Sequence, residues 1–138
     1  MRKKTVRDVD LSGKRVLVRV DFNVPLAGGA IADDTKIKAA LPTLRYLQES
    51  GAALVVASHL GRPGGRPDEG LRLDPVGARL AQLLGVAVRK MDSCLGPEVE
   101  EAADSLRPGQ VLLLENLRFH PGEEANDPDF AAALARLA

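Results

Sequence analysis

Four short apolar runs punctuate the chain, and each breaks off into polar residues. Arg15–Val20 (RVLVRV) runs into Asp21-Phe22-Asn23, and Ala52–Ala57 (AALVVA) into Ser58-His59-Leu60-Gly61-Arg62-Pro63. Val111–Leu114 (VLLL) runs into Glu115-Asn116-Leu117-Arg118-Phe119-His120, and Val86–Val88 ends less emphatically in Arg89-Lys90. Near-continuous Val, Leu and Ala runs are the mark of parallel strands buried on both faces. Between them the apolar period becomes helical. Ile37, Leu41, Leu44 and Leu47 predict a helix over about Thr35–Ser50, with Asp33 or Asp34 as cap and Gly51 as stop. Pro42 inside it predicts a kink or a split first turn. Asp74-Pro75 reads as N-cap and first residue of a second helix that uses Leu80, Leu83 and Leu84 and stops at Gly85. An acidic helix from about Pro97 to Leu106 follows the third strand. Asn126-Asp127-Pro128 opens a last helix in which Phe130, Leu134 and Leu137 share a face. Val24–Asp34, Gly61–Gly70 and Met91–Gly96 read as turns and loops. The order β-α-β-α-β-α-β-α implies an α/β fold with a parallel sheet and right-handed crossovers.

Composition narrows the function classes. At 138 residues the chain is one domain or most of one, with a core of ordinary size. Its 19 basic and 19 acidic residues cancel, so no global field favours nucleic acid or a membrane surface. Aromatic residues make up 3%, too few for a base-stacking platform. Cys94 stands alone, which excludes a disulfide framework and a thiolate zinc site and fits a reducing cytoplasm. The basic N-terminus has no apolar core of a secretory signal, and no run is long enough to span a bilayer.

Open α/β sheets bind ligands beyond the carboxyl ends of their strands, where this chain collects its chemistry. Arg62 and Arg118 are planar forks suited to phosphate or carboxylate, although a single such Arg is commonly a solvated ion pair. His59 is a candidate donor to an anion, against the alternative of a backbone cap. Asp21 and Asn23 are candidate acceptors from hydroxyl groups, against the alternative of closing a turn. Glu115 and Asn116 are open in the same way. Lys36 and Lys38 lie in the first turn of the first helix, where the dipole favours anions. Cys94 and Met91 read as packing residues. The chain has no GxxxxGK[ST] or GxGxxG phosphate loop, no metal-ligand spacing and no GxSxG elbow. Ser58 and His59 are neighbours on an extended segment and point apart, so they form no dyad.

The strings VRVDFNVP (Val18–Pro25), ALPTLRYL (Ala40–Leu47), SHLGRP (Ser58–Pro63) and LLENLRFHPGEE (Leu113–Glu124) resemble the phosphoglycerate kinase family, in order and spacing, from Val6 to the last residue. The resemblance implies a Rossmann-like three-layer α/β/α unit, with residues 1–138 forming most of an N-terminal domain that binds 3-phosphoglycerate. It implies that Asp21, Phe22, Asn23, Lys36, His59, Leu60, Gly61, Arg62 and Arg118 bind substrate, with Lys36 catalytic. His59, Arg62 and Arg118 belong to a basic patch for the substrate phosphate. Mg-ADP or Mg-ATP would sit on a C-terminal domain absent from this chain, so neither cofactor nor metal is expected here. A further patch arginine and the last strands of the domain would lie beyond Ala138.

The reaction implied is reversible phosphoryl transfer between 1,3-bisphosphoglycerate and ADP in the cytoplasm, by a monomeric enzyme. A substrate carboxylate is ionised at neutral pH, so no general base is required. The family has arginine where this chain reads Asp34-Thr35-Lys36-Ile37; lysine keeps the charge and loses the fork. The 138 residues alone are expected to be inactive and to self-associate through an open sheet edge. The alternatives are a non-catalytic folding or interaction piece with an incomplete anion site, and an unrelated nucleotide-binding α/β domain.

Overall fold

The central strand of this molecule is apolar on both sides, and that dictates three layers. In Ala53–Ala57 every residue is buried. Leu54 and Val56 face one core, with Ile37, Leu44, Val76 and Leu80. Val55 and Ala57 face another, with Val99, Ala102, Ala103 and Phe130. A computed structural model describes residues 2–138; Met1, the start of the basic N-terminal segment, lies outside them. In chain order the elements are β1 (Arg15–Arg19), β2 (Leu26–Ala27), β3 (Ala30–Ile31), α1 (Thr35–Glu49), β4 (Ala53–Ala57), α2 (Asp74–Leu84), β5 (Val88–Lys90), α3 (Pro97–Asp104), β6 (Val111–Leu113), α4 (Pro121–Glu124) and α5 (Pro128–Ala135).

The main sheet is all parallel in the order β1-β4-β6-β5. Helices α1 and α2, which accompany steps toward the β5 edge, pack on one face. Helix α3, which accompanies the step back, packs on the other, as a single crossover hand requires. The expected α/β/α sandwich is what the chain forms.

Some details differ from the sequence reading. The third strand is Val88–Lys90 rather than Val86–Val88, so Arg89 and Lys90 lie in the strand and not beyond it. Gly85 caps α2 in the left-handed region, φ 71°, and Val86 and Ala87 are spent on the exposed turn that follows. An edge strand is buried by one neighbour only, so its apolar run marks its limits poorly. Within the turn-rich Val24–Asp34 segment, β2 and β3 form a two-residue antiparallel hairpin across Gly28-Gly29, both at positive φ. Helix α1 passes unbroken through Pro42 and is not split, because the predicted stripe of Ile37, Leu41, Leu44 and Leu47 is buried on both sides of the proline. At its start the side chain of Asp33 accepts from Thr35 N, whereas Asp34 makes no cap bond. Asp74 is inside α2 rather than its N-cap, which is Leu73. The single turn α4 has no apolar stripe to announce it.

Candidate anion site at the strand ends

Three loops leave the carboxyl ends of β1, β4 and β6, and hydrogen bonds from side chain to backbone knit them together. Ser58 Oγ accepts from Phe22 N at 2.9 Å, and Asn23 Oδ1 accepts from Gly61 N at 2.9 Å. Asn116, fully buried, uses all of its polar capacity. Its Oδ1 accepts from Leu60 N and Arg118 N, and its Nδ2 donates to Leu60 O and Leu71 O. Glu115 Oε1 accepts from Leu73 N and Asn116 N, while Oε2 takes Arg72 and the Lys90 ammonium. Lys90 also pairs with Asp74 at the start of α2. This buried ion cluster pins the far end of the Gly61–Gly70 loop to the sheet.

On that frame the predicted site residues take distinct positions. Asp21 is exposed; its Oδ1 accepts from Asn23 N, and its carboxylate pairs with Lys36 Nζ at 3.2 Å. The backbone bond from Asn23 N, with help from Lys36, holds the Asp21 carboxyl below the usual aspartate range. Asn23 Oδ1, the candidate acceptor, is engaged by Gly61 N, so the amide nitrogen is the group left for a ligand, and it donates. The side chains of Phe22 and Leu60 belong to the core. With the N–H groups of Phe22, Leu60 and Gly61 all engaged, these three residues serve as framework. His59 is half-buried, and burial, followed by the charge of Arg118, pushes its imidazole below the ordinary value, so it is neutral at pH 7. Arg62 is exposed on the loop and has no ion-pair partner among the described residues, so the structure does not tie it to the cluster. Lys38 pairs with Asp34 at 3.4 Å, which Arg79 also holds at 2.7 Å; it is a helix-surface lysine.

Two participants were not among the predicted residues. Arg19, at the end of β1, and Arg118 meet the same carboxylate, Glu123, at 2.5 and 2.9 Å. A charged residue inside the apolar RVLVRV run was the available signal for Arg19. Glu123 had none, because its partners are set by the turn at α4. Cys94 and Met91 pack in the core as expected, and burial pushes the Cys94 thiol up to about 12. Among the described residues no group of His, Cys, Asp and Glu is disposed to hold a metal ion, and no helix is long and apolar enough to cross a membrane. The arrangement is a basic strand-end patch with neutral and anionic hydrogen-bonding groups beside it, suited to a small ligand that carries phosphate and further oxygens.

The chain is similar to known proteins along nearly its whole length. The family model "Phosphoglycerate kinase" matches residues 6–138. The phosphoglycerate kinase of Moorella thermoacetica is 61% identical over 138 residues, covering 100% of this chain and 35% of that protein. That of Rubrobacter xylanophilus is 59% identical over 135 residues, 98% of this chain and 34% of that protein. Among solved structures, the phosphoglycerate kinase of Pyrococcus horikoshii superposes with TM-score 0.84 at 33% identity, over 96% of this chain and 34% of the other. That of Coxiella burnetii gives 0.80 at 34% identity, over 94% and 32%. The chain thus spans about a third of the length of the relatives it matches.

Proposed function

The chain belongs to the phosphoglycerate kinase family, and we propose on that premise that the whole protein catalyses reversible phosphoryl transfer between 1,3-bisphosphoglycerate and ADP. Residues 1–138 form most of the N-terminal domain and carry the 3-phosphoglycerate side of that reaction. The observation that carries the reading is the meeting of Asp21, Lys36, His59 and Arg118 around one edge of the parallel sheet.

In this reading His59, Arg62 and Arg118 hold the substrate phosphate, Arg118 through its fork and His59 as an imidazole N–H donor. Asp21 accepts from the substrate hydroxyl, and the Asn23 amide donates to an oxygen of the acid. The substrate carboxylate is the nucleophile and is already ionised, so the residues position it and supply positive charge rather than remove a proton. Lys36 stands at the N-terminal end of α1, where its charge and the first-turn amides favour the transferring group. Magnesium-bound nucleotide supplies the phosphoryl donor or acceptor when bound, and its site belongs to parts of the full-length protein outside these residues. The 138 residues alone bind substrate without turnover; the whole enzyme is a cytoplasmic monomer of glycolysis.

Calorimetric titration of the chain with 3-phosphoglycerate, with D-glycerate and inorganic phosphate as controls, tests this. Saturable binding of 3-phosphoglycerate, weakened by about tenfold or more in Arg118→Ala, is expected from the loss of a charge-assisted contact. Equal response to all three ligands, or none to any, would overturn the substrate assignment.

A further inference from the structure

The patch contains one carboxylate that a phosphate site would be expected to exclude. Glu123 is almost fully buried, its side chain 6% exposed, and it lies between two guanidinium groups. Oε2 accepts from Arg118 Nε at 2.9 Å, and Oε1 accepts from Arg19 Nη2 at 2.5 Å. A second carboxylate, that of Glu124, stands 3.5 Å from the same Arg118 Nε and is mostly exposed. These contacts occupy one edge of the Arg118 guanidinium. Among the described residues neither terminal amino group donates a hydrogen bond to the protein, and the side chain is 26% exposed. The base of that side chain is fixed as well, because Arg118 N donates to the buried Asn116 and Arg118 O accepts from Gly65 N.

The turn that carries Glu123 is braced rather than loose. A Cβ at Gly122 would come within 2.9 Å of Phe130 Cβ, and one at Gly65, at φ +79°, within 3.1 Å of Pro121. Only glycine lets α4 sit this close to α5 and to the loop. His120 adds a ring contact to Phe130 at 5.4 Å between centroids. Glu123 is therefore a fixed acceptor.

We propose that Glu123 is a positioning residue of the phosphate patch, an internal carboxylate that holds Arg118 by its Nε edge and so presents both of its terminal amino groups to an incoming phosphate. The inference rests on the substrate reading given above. Two opposing effects of Glu123 are separable by sign. Through charge alone, it weakens any anion's binding, and its removal would tighten it. Through geometry, it pre-organises a bidentate fork, and its removal would loosen binding. The burial of the carboxylate and its double engagement favour the second effect.

The test uses the full 138-residue chain, wild type and Glu123→Gln, with Glu124→Gln as a control that removes the same charge from the exposed neighbour. NMR observation of the arginine Nε–H groups without ligand should show the Arg118 signal resolved and protected from exchange in the wild type and in Glu124→Gln. In Glu123→Gln it should lose protection by about tenfold or more, with the backbone amide spectrum otherwise preserved. Affinity for 3-phosphoglycerate should fall by about tenfold in Glu123→Gln although the patch has gained positive charge, and should hold or rise in Glu124→Gln. Unchanged or tighter binding by Glu123→Gln, or an Arg118 Nε–H equally protected in both forms, overturns this inference and leaves the substrate reading intact. A wild-type chain that binds neither 3-phosphoglycerate nor inorganic phosphate overturns the substrate reading and this inference together.

Discussion

A histidine half out of water and next to an arginine is a neutral group at pH 7. For His59 burial is the leading cause and the Arg118 charge the next; for His120 burial alone lowers the pKa. Both groups bind protons less readily folded than unfolded, where the imidazole pKa is about 6.5. The unfolded chain therefore gains protons first as pH falls. The stability from keeping these two imidazoles neutral is full above the unfolded value and declines as pH drops through it toward the folded values. Urea unfolding at pH 7.5 and 5.5 should show lower stability at the lower pH, with a smaller difference in His59→Gln. A bound phosphate should reverse the effect at His59 and raise its pKa in an NMR titration. Lys36 carries the other residue-scale expectation. It pairs with Asp21 as a point charge, whereas a fork could touch phosphoryl and carboxylate oxygens together. In a full-length protein Lys36→Arg should raise kcat with little change in substrate affinity; equal or lower kcat would contradict that role. The sequence placed Asp21, His59 and Arg118 near one another because all three follow apolar runs. It left Asn116 open between ligand and framework, since its four bonds reach Leu60, Leu71 and Arg118, a relation that depends on which strands are neighbours.

At the scale of elements, apolar runs and stripes were reliable wherever burial is two-sided. Strand β4 and the inner face of α1 were legible residue by residue for that reason. The sheet order was not legible: β4 and β6 are neighbours although β5 lies between them in sequence. Pairing of β5 with β6 brings Lys90 to Glu115, and with Arg72 they form a cluster that Arg89-Lys90 read as a strand end did not suggest. Close packing of α2 on β5 and β6 depends on Gly77, where a Cβ would meet Leu113 Cδ2 at 3.3 Å and Lys90 Cβ at 3.5 Å. Gly77→Ala asks Leu113 to yield slightly. Gly77→Val adds two further methyl groups and should destabilise the fold by about 2 kcal/mol through overpacking, read from the urea midpoint. A Val variant as stable as the Ala variant would show that α2 is free to shift.

On the scale of the whole molecule, the sheet has β1 at one edge and β5 at the other, and β1 pairs on one side only. Val16, Leu17 and Val18 are correspondingly half-buried, in contrast to the fully buried β4. Beside β1 lies an apolar groove that includes Val6, Val9, Leu17 and Leu47. An unpaired strand with apolar flanks is a template for another strand. In the 138-residue chain on its own, sedimentation should show self-association that grows with concentration. A clean monomer at high concentration would remove that expectation.

Whether this sheet edge is a half-site for 3-phosphoglycerate is decided by a ¹⁵N–¹H NMR titration with that acid, controlled by free phosphate. A half-site predicts dispersed peaks and saturable shifts at Asn23, His59, Gly61 and Arg118 that the control does not reproduce. Dispersed peaks that ignore the acid, or that move equally with free phosphate, would contradict it.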